Sequence, residues 1–597
     1  MFAWKTDQKE KYRTKGRIAA ALICSVLAGA LVGVCSLLFA QSNIGYAMFL
    51  SYFKNPYILL FNLLPPMLLS LLFYLLTNRA VIAFLLTNLV VMVPTLVNFY
   101  KIAFRGDALV FEDLTLIGES KKMLETYKLF WNDRITLYLA VLAVCTLLLA
   151  FFVRGRFRRA LPRLVAALAL AVAGGCLAPL YTSGTIYDEK TANDALINPY
   201  SDTQRYISKG FVYPFLHTVK DAFHPAPAGY DENSAKEALA AFADEKIPED
   251  KRVNFVCVML ESYNDFSRFE ELTFTRDVYG KYRELEKMGY SGTLVTDIFA
   301  GDTRVSEREF LTGLPFSRID NFVTPANSYV WYMKQNGYFT TGAHPCYAWF
   351  YNRQNINKNL GFDEYLFSEN YFADLTGSAI TYDARFFPML CELYTTRDKS
   401  KPYFSYNITY QCHGPYESQN AYFDTPYVEN KGYSAETETI LNNYLNAQRE
   451  TTELLYKFAL DMLDTDEPLV LVFFGDHKPW LGNADSVYHE LGINIDTSTE
   501  EGFLNYYSTR YLILANDAAK KVCGNDFSGE GETLSVSLLM NKVFELCGYG
   551  GSAYMQFTSA QMKETPVIHR TADLRSDALR SYDDVTYYYR KNFVYDK

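Results

Sequence analysis

No two cysteines in this sequence stand as C-x-x-C, and none shows zinc-ribbon spacing, so a zinc ribbon or a readable disulfide framework is excluded. Four of the ten cysteines, Cys24, Cys35, Cys145 and Cys176, lie in apolar runs and serve as small hydrophobes. A basic stripe interleaved with aromatics is also missing, and the net charge is −10. Nucleic acid is therefore no partner, because a phosphate backbone calls for clustered Lys and Arg. The apolar runs contain no pair of opposite charges, which argues against a conduction path and hence a transporter. The first run is too long for a signal-peptide core, lacks a clean A-x-A site and is followed by four more, so it reads as an uncleaved helix.

What the sequence has in quantity is apolar length at one end. Of its 597 residues, those before about Leu180 are dominated by runs able to span a bilayer, and the rest alternate polar and apolar residues. A bilayer crossing needs about 20 apolar residues of helix. Five segments qualify: Ile18–Ala40, Tyr57–Thr77, Ala80–Phe99, Ile135–Val153 and Ala160–Tyr181. Pro65-Pro66 should bend the second. Basic residues crowd the N-terminus (Lys5, Lys9, Lys11, Arg13, Lys15, Arg17) and the loop Arg154–Arg163. Both belong on the cytoplasmic side, which with five spans places everything after Tyr181 outside. The loop Lys101–Arg134 then also lies outside, as a membrane-surface element or a solvated connector. We read residues 1–181 as a transmembrane domain, 182–250 as linker and membrane-surface helices, and 251–597 as the extracytoplasmic catalytic domain, with Pro225–Gly229 as a linker run.

Apolar, β-branched runs in the outer part predict strands at Val253–Leu260, Gly292–Phe299, Tyr338–Gly342, Tyr403–Thr409 and Pro468–Phe474. Helical patterns separate most of them, including Ser306–Thr312 and Glu438–Leu463. Such alternation implies an α/β domain with a largely parallel sheet covered by helices. Ligands of such sheets bind beyond the carboxyl ends of the strands. Glu261, Thr303, His344, His413, Asp476 and His477 all fall just past predicted strand ends. Carboxylates, an imidazole and a hydroxyl can together surround one divalent ion, and Thr303 becomes a plausible nucleophile beside it. Thr303 also precedes a helix, whose N-terminus favours a phosphate.

At these residues the chain resembles the lipoteichoic acid synthase and phosphoglycerol transferase family of the alkaline phosphatase/sulfatase superfamily. The matching pieces are Met259-Leu260-Glu261-Ser262, Gly301-Asp302-Thr303 with Ser306 and Glu309-Phe310, His413-Gly414-Pro415-Tyr416, and Phe474-Gly475-Asp476-His477. The loop from Phe104-Arg105-Gly106-Asp107 to Asp113-Leu114 resembles that family's external loop. The resemblance implies a five-span membrane domain followed by a sulfatase-like domain. It implies Glu261, Thr303, Asp476 and His477 as ligands of manganese, with magnesium or zinc as alternatives. Thr303 would attack phosphatidylglycerol, release diacylglycerol and carry the glycerophosphoryl group to a cell-envelope glycopolymer or glycolipid. Arg353 would pair with the phosphate, His413 would contact the glycerol or phosphate, and His344 and Tyr351 would line the substrate site.

Three stretches depart from the family's polymerising members and border the acceptor side. Tyr351 stands where they carry a tryptophan before Asn352-Arg353, and Pro345-Cys346-Tyr347-Ala348 and Lys478-Pro479-Trp480-Leu481-Gly482 also differ. The sequence has no C/S-x-P-x-R, so sulfate ester hydrolysis is disfavoured. The rival readings are a phosphoethanolamine transferase, a metal-dependent phosphodiesterase and, outside enzymes, an envelope binding module with a decayed site. The 47 tyrosines and 43 phenylalanines invite a sugar-binding interpretation, but most are core or interface-belt residues. Tyr347, Trp349, Phe350 and Tyr351 are the exception, since they flank Arg353 and could line an acceptor groove.

Overall fold

The computed structural model describes residues 2–41, 46–105, 108–114, 130–193, 195, 202–220, 226–319 and 322–595. Gly106 and Asp107 of the external loop, and its stretch 115–129, lie outside them. The chain divides into two compact units, Met1–Pro225 and Ala226–Lys597, so the division falls at the Pro/Ala/Gly linker run.

Five helices of the first unit are long and apolar enough to cross a membrane: Lys15–Leu38, Pro56–Thr77, Ala80–Ala103, Asp133–Phe152 and Ala160–Thr182. Each contains or nearly coincides with a segment expected from hydropathy. Their ends follow local rules. Asn55 accepts hydrogen bonds from the amides of Tyr57 and Ile58 with Pro56 in the first turn, and Asn78 closes the same helix in the left-handed conformation. That helix runs unbroken through Pro65-Pro66. The first span lies close against it because Gly29 and Gly33 offer no side chain. A Cβ at Gly29 would stand 2.5 Å from the carbonyl oxygen of Pro66, and one at Gly33 2.6 Å from Leu63 Cδ2. This is the small-residue contact by which membrane helices approach one another. The fifth span is two helical pieces, Ala160–Gly175 and Ala178–Thr182, parted after a Gly-Gly step.

The second unit is built on a nine-stranded sheet. Its strands are β1 (Asn254–Leu260), β2 (Tyr290–Val295), β3 (Phe339–Ala343), β4 (Glu364–Leu366), β5 (Tyr403–Ile408), β6 (Leu469–Gly475), β7 (Ser508–Ala515), β8 (Gly529–Glu530) and β9 (Leu534–Ser535). The order is β4-β3-β5-β1-β6-β7-β2-β8, with β9 beside β2. All five predicted strands are present, the second ending at Val295 instead of Phe299. Pairing is parallel except at β7, which runs antiparallel to both β6 and β2. β1 and β6 are buried on both faces and lie at the centre, as continuous apolar runs require. Helices between the strands, among them Arg304–Thr312 and Ala435–Leu463, bury residues along their length.

Candidate active site

Two neighbouring parallel strands end side by side, and their first residues beyond the sheet are acidic. Leu260 of β1 pairs with Gly475 of β6, so Glu261 and Asp476 emerge next to each other at the carboxyl edge. The amide of Glu261 donates to Thr409 Oγ1 at 3.0 Å, fixing the turn from the β5 side. Asp476 is held through one oxygen only. Its Oδ1 accepts from the amides of Ser262 (2.7 Å) and His477 (2.9 Å), while the buried Oδ2 accepts no hydrogen bond. His477 Nδ1 lies 2.8 Å from the carbonyl oxygen of Lys478, which can only accept, so the ring proton belongs there. Nε2 is thereby turned inward, 3.2 Å from Asp476 Oδ2 and 3.8 Å from Glu261 Oε1.

Thr303 arrives from β2, two places along the sheet from β6, by way of the loop 296–302. The loop is pinned to the acidic edge where the Ala300 amide donates to the Lys478 carbonyl at 3.0 Å. Ala300 and Asp302 have φ of 61° and Gly301 153°, a run of left-handed backbone that non-glycine residues rarely take. The strain swings Thr303 into the cluster as the N-cap of Arg304–Thr312, and Ser306 Oγ ties that helix to the Asp476 carbonyl at 2.7 Å. Thr303 Oγ1 donates to Glu261 Oε2 at 3.2 Å and lies 3.5 Å from His477 Nε2.

Glu261, Asp476 and His477 are buried, with their ligand atoms within 4.8 Å of one another. Packing these groups together out of water disturbs their proton affinities. Burial, and then the Glu261 carboxylate, push the Asp476 carboxyl up. Burial opposes charge on His477, yet Asp476 and Glu261 outweigh it and raise that imidazole. A cation would relieve both, and an oxygen and nitrogen set with one orphaned carboxylate oxygen suits a divalent metal. The residues present fit such an ion.

Comparison with known proteins bears on the fold that carries these residues. Residues 253–521 match the family model described as Sulfatase, a span that includes Glu261, Thr303, Asp476 and His477. This part of the chain is a sulfatase-like domain. The superfamily expected from the motifs is thus the one found. A protein of Rhizobium meliloti (strain 1021), provisionally named a cyclic beta-1,2-glucan modification protein, is 26% identical over 391 residues, or 63% of this chain. The match spans 58% of that relative's length. Among solved structures, the phosphoglycerol transferase GacH of Streptococcus pyogenes with sn-glycerol-1-phosphate is 18% identical, with 61% of this chain and 94% of that one covered at a TM-score of 0.47. The integral membrane lipooligosaccharide phosphoethanolamine transferase A of Neisseria meningitidis is 12% identical, with 89% and 98% covered at a TM-score of 0.46.

The remaining predicted residues of the sulfatase domain take different positions. Arg353 is buried, and its Nε donates to Glu307 Oε2 at 2.8 Å, while its buried Nη1 makes no hydrogen bond. The phosphate partner expected for Arg353 from the resemblance would therefore share it with a carboxylate. His344 is buried behind it, and burial, then the Arg353 charge, hold the imidazole well below its usual range and so neutral. Tyr351 is half-buried with its ring 5.2 Å from Arg353 Cζ. His413 is exposed, stacked on Tyr410 with ring centroids 4.7 Å apart and planes at 4°. Sequence reasoning missed Glu307, Thr409 and the Lys478 carbonyl. Glu307 lies one turn after Thr303, and that spacing was the available signal.

Proposed function

We propose that the chain is a membrane-anchored transferase that takes a glycerophosphate group from phosphatidylglycerol through Thr303 and delivers it to a cell-envelope glycopolymer or glycolipid. What supports this reading above all is the buried meeting of one hydroxyl with two carboxylates and an inward-facing imidazole at the end of a sulfatase-like sheet. Glu261, Thr303, Asp476 and His477 would hold a divalent metal, taken to be manganese. Such an ion supplies charge neutralisation and lowers the pKa of a hydroxyl it contacts.

The chain's own groups do the rest. Glu261 Oε2 receives the Thr303 hydrogen bond and so aims the oxygen's lone pairs toward the phosphorus. The N-terminus of Arg304–Thr312 and the unused Nη1 of Arg353 favour the phosphate's negative charge. Attack by Thr303 Oγ1 forms a phosphothreonine diester and breaks the bond to diacylglycerol, whose oxygen takes up the proton. An acceptor hydroxyl then displaces Thr303. With the N-terminus cytoplasmic, five spans put the domain outside, where a membrane lipid is a natural donor.

The test uses the full chain in vesicles with phosphatidylglycerol or phosphatidylethanolamine, labelled in the headgroup. Diacylglycerol release and a labelled Thr303 peptide are expected from phosphatidylglycerol, and Thr303→Ala should lower release by about a thousandfold. Label from phosphatidylethanolamine alone would replace the donor. Unchanged lipid turnover in Thr303→Ala would leave a binding module.

A further inference from the structure

Beyond the metal cluster, the side chains after β3 form a row of rings. Tyr347 and Trp349 stack with centroids 4.9 Å apart and planes at 19°. Trp349 meets Phe350 edge-on at 6.0 Å, and Phe350 lies 4.5 Å from Tyr351. The row thus ends at the ring beside Arg353, and every member is partly exposed. It is fixed in place by a costly backbone, since Tyr351 and Asn352 are both left-handed, with φ of 54° and 57°. A second group, Tyr410 stacked on exposed His413 with Tyr382 6.5 Å away, lies beside His344, whose ring is 6.4 Å from that of Tyr410. Tyr382 is 53% exposed.

A row of partly exposed rings, with hydroxyls on Tyr347 and Tyr351, matches one kind of molecule. A pyranose presents C–H groups on its faces and hydroxyls around its rim, so it can lie on an aromatic plane and hydrogen-bond sideways. An acyl chain would need aliphatic walls with no polar rim. A polyanionic glycerophosphate chain would need cations along the row, but Arg304 is paired with Asp302 at 2.6 Å, and Arg353 at the row's end is taken up by the donor phosphate on the reading above. The segment 345–351 carries no charge, and the exposed carboxylate of Glu369, which accepts from the Ala348 amide at 2.9 Å, would repel one.

We propose that this row is the acceptor subsite and that it takes an uncharged pyranose glycan. This rests on the transferase reading above. A glycan hydroxyl forms the new O–P bond, the Thr303 Oγ1–P bond breaks, and the hydroxyl's proton ends on Oγ1.

Two measurements on the full-length protein decide it. In vesicles of headgroup-labelled phosphatidylglycerol, label is expected in a β-linked glucose oligosaccharide in preference to a glycerophosphate oligomer of equal length. By equilibrium dialysis without donor, the oligosaccharide is expected to bind, with Trp349→Ala raising its Kd and its KM about tenfold and Trp349→Phe less than about threefold. Binding of the glycerophosphate oligomer alone, or a Trp349→Ala variant indistinguishable from wild type, would overturn the subsite. Diacylglycerol release with no labelled glycan would also overturn it while leaving the donor chemistry standing. Absence of diacylglycerol release with any acceptor would sink the transferase reading instead, and dialysis would still judge the glycan.

Discussion

At the scale of single residues, the acidic cluster is a place where folding and function pull apart. Asp476 and Glu261 repel each other in the absence of a cation, so Asp476→Asn should stabilise the chelator-treated protein, raising its melting temperature by about 2–4 °C. The same change should abolish the upward shift that added manganese gives wild type. Differential scanning fluorimetry with and without metal reads both. Asp383 offers an independent test far from any metal ligand in sequence. Thr451 Oγ1 donates to its Oδ2 at 2.7 Å, its Oδ1 has no donor, and burial pushes the carboxyl up to about 7. Its folded pKa lies above its unfolded value, so its contribution to stability is full below about pH 4 and is lost as pH rises through about 7. Melting of Asp383→Asn minus that of wild type should therefore grow from pH 4 to pH 7 and level off above. The four central residues were legible because Glu261 and the pair Asp476-His477 come straight after apolar runs, and Thr303 stands in Gly301-Asp302-Thr303 just past another. Glu307 was not, because R-V-S-E-R-E reads as an exposed helix face, whereas Val305–Thr312 are all buried and Glu307 is neutralised by a partner 46 positions away.

At the scale of elements, the membrane helices were readable from composition, but their contacts were not. Gly29 and Gly33 look like ordinary small residues until the carbonyl of Pro66 is found against one of them. Gly29→Leu should force the first two long helices apart and cost several kcal/mol, on the order of a large core disruption. Gly174→Ala, where a Cβ meets nothing within 4 Å, should be neutral or slightly stabilising. Monodispersity and melting of the detergent-solubilised protein distinguish them. β7 escaped the sequence reading for a related reason. An apolar run shows that a strand exists, not which way it runs, and the polar Asn516-Asp517 after this one serve as a helix cap and first turn. Its antiparallel entry between β6 and β2 is a property of the completed sheet.

At the scale of the whole molecule, the charge pattern carries the topology. If the basic N-terminus and Arg154–Arg163 face the cytoplasm, a C-terminal alkaline phosphatase fusion should be active and a C-terminal green fluorescent protein fusion dark. The opposite pattern would put the sulfatase-like domain inside and remove the lipid-donor argument. The sheet order adds a constraint in time. β2, which leads to Thr303, has β7, β8 and β9 as its neighbours, and all begin at or after Ser508. If the domain is exported as proposed, a chain still emerging from the translocation channel would hold Thr303 beyond an unpaired strand, before that strand joins the sheet that carries the two acids. On that reading the site would be complete only once the strands from Ser508 onward had crossed and paired, so a partly exported chain would carry no working centre.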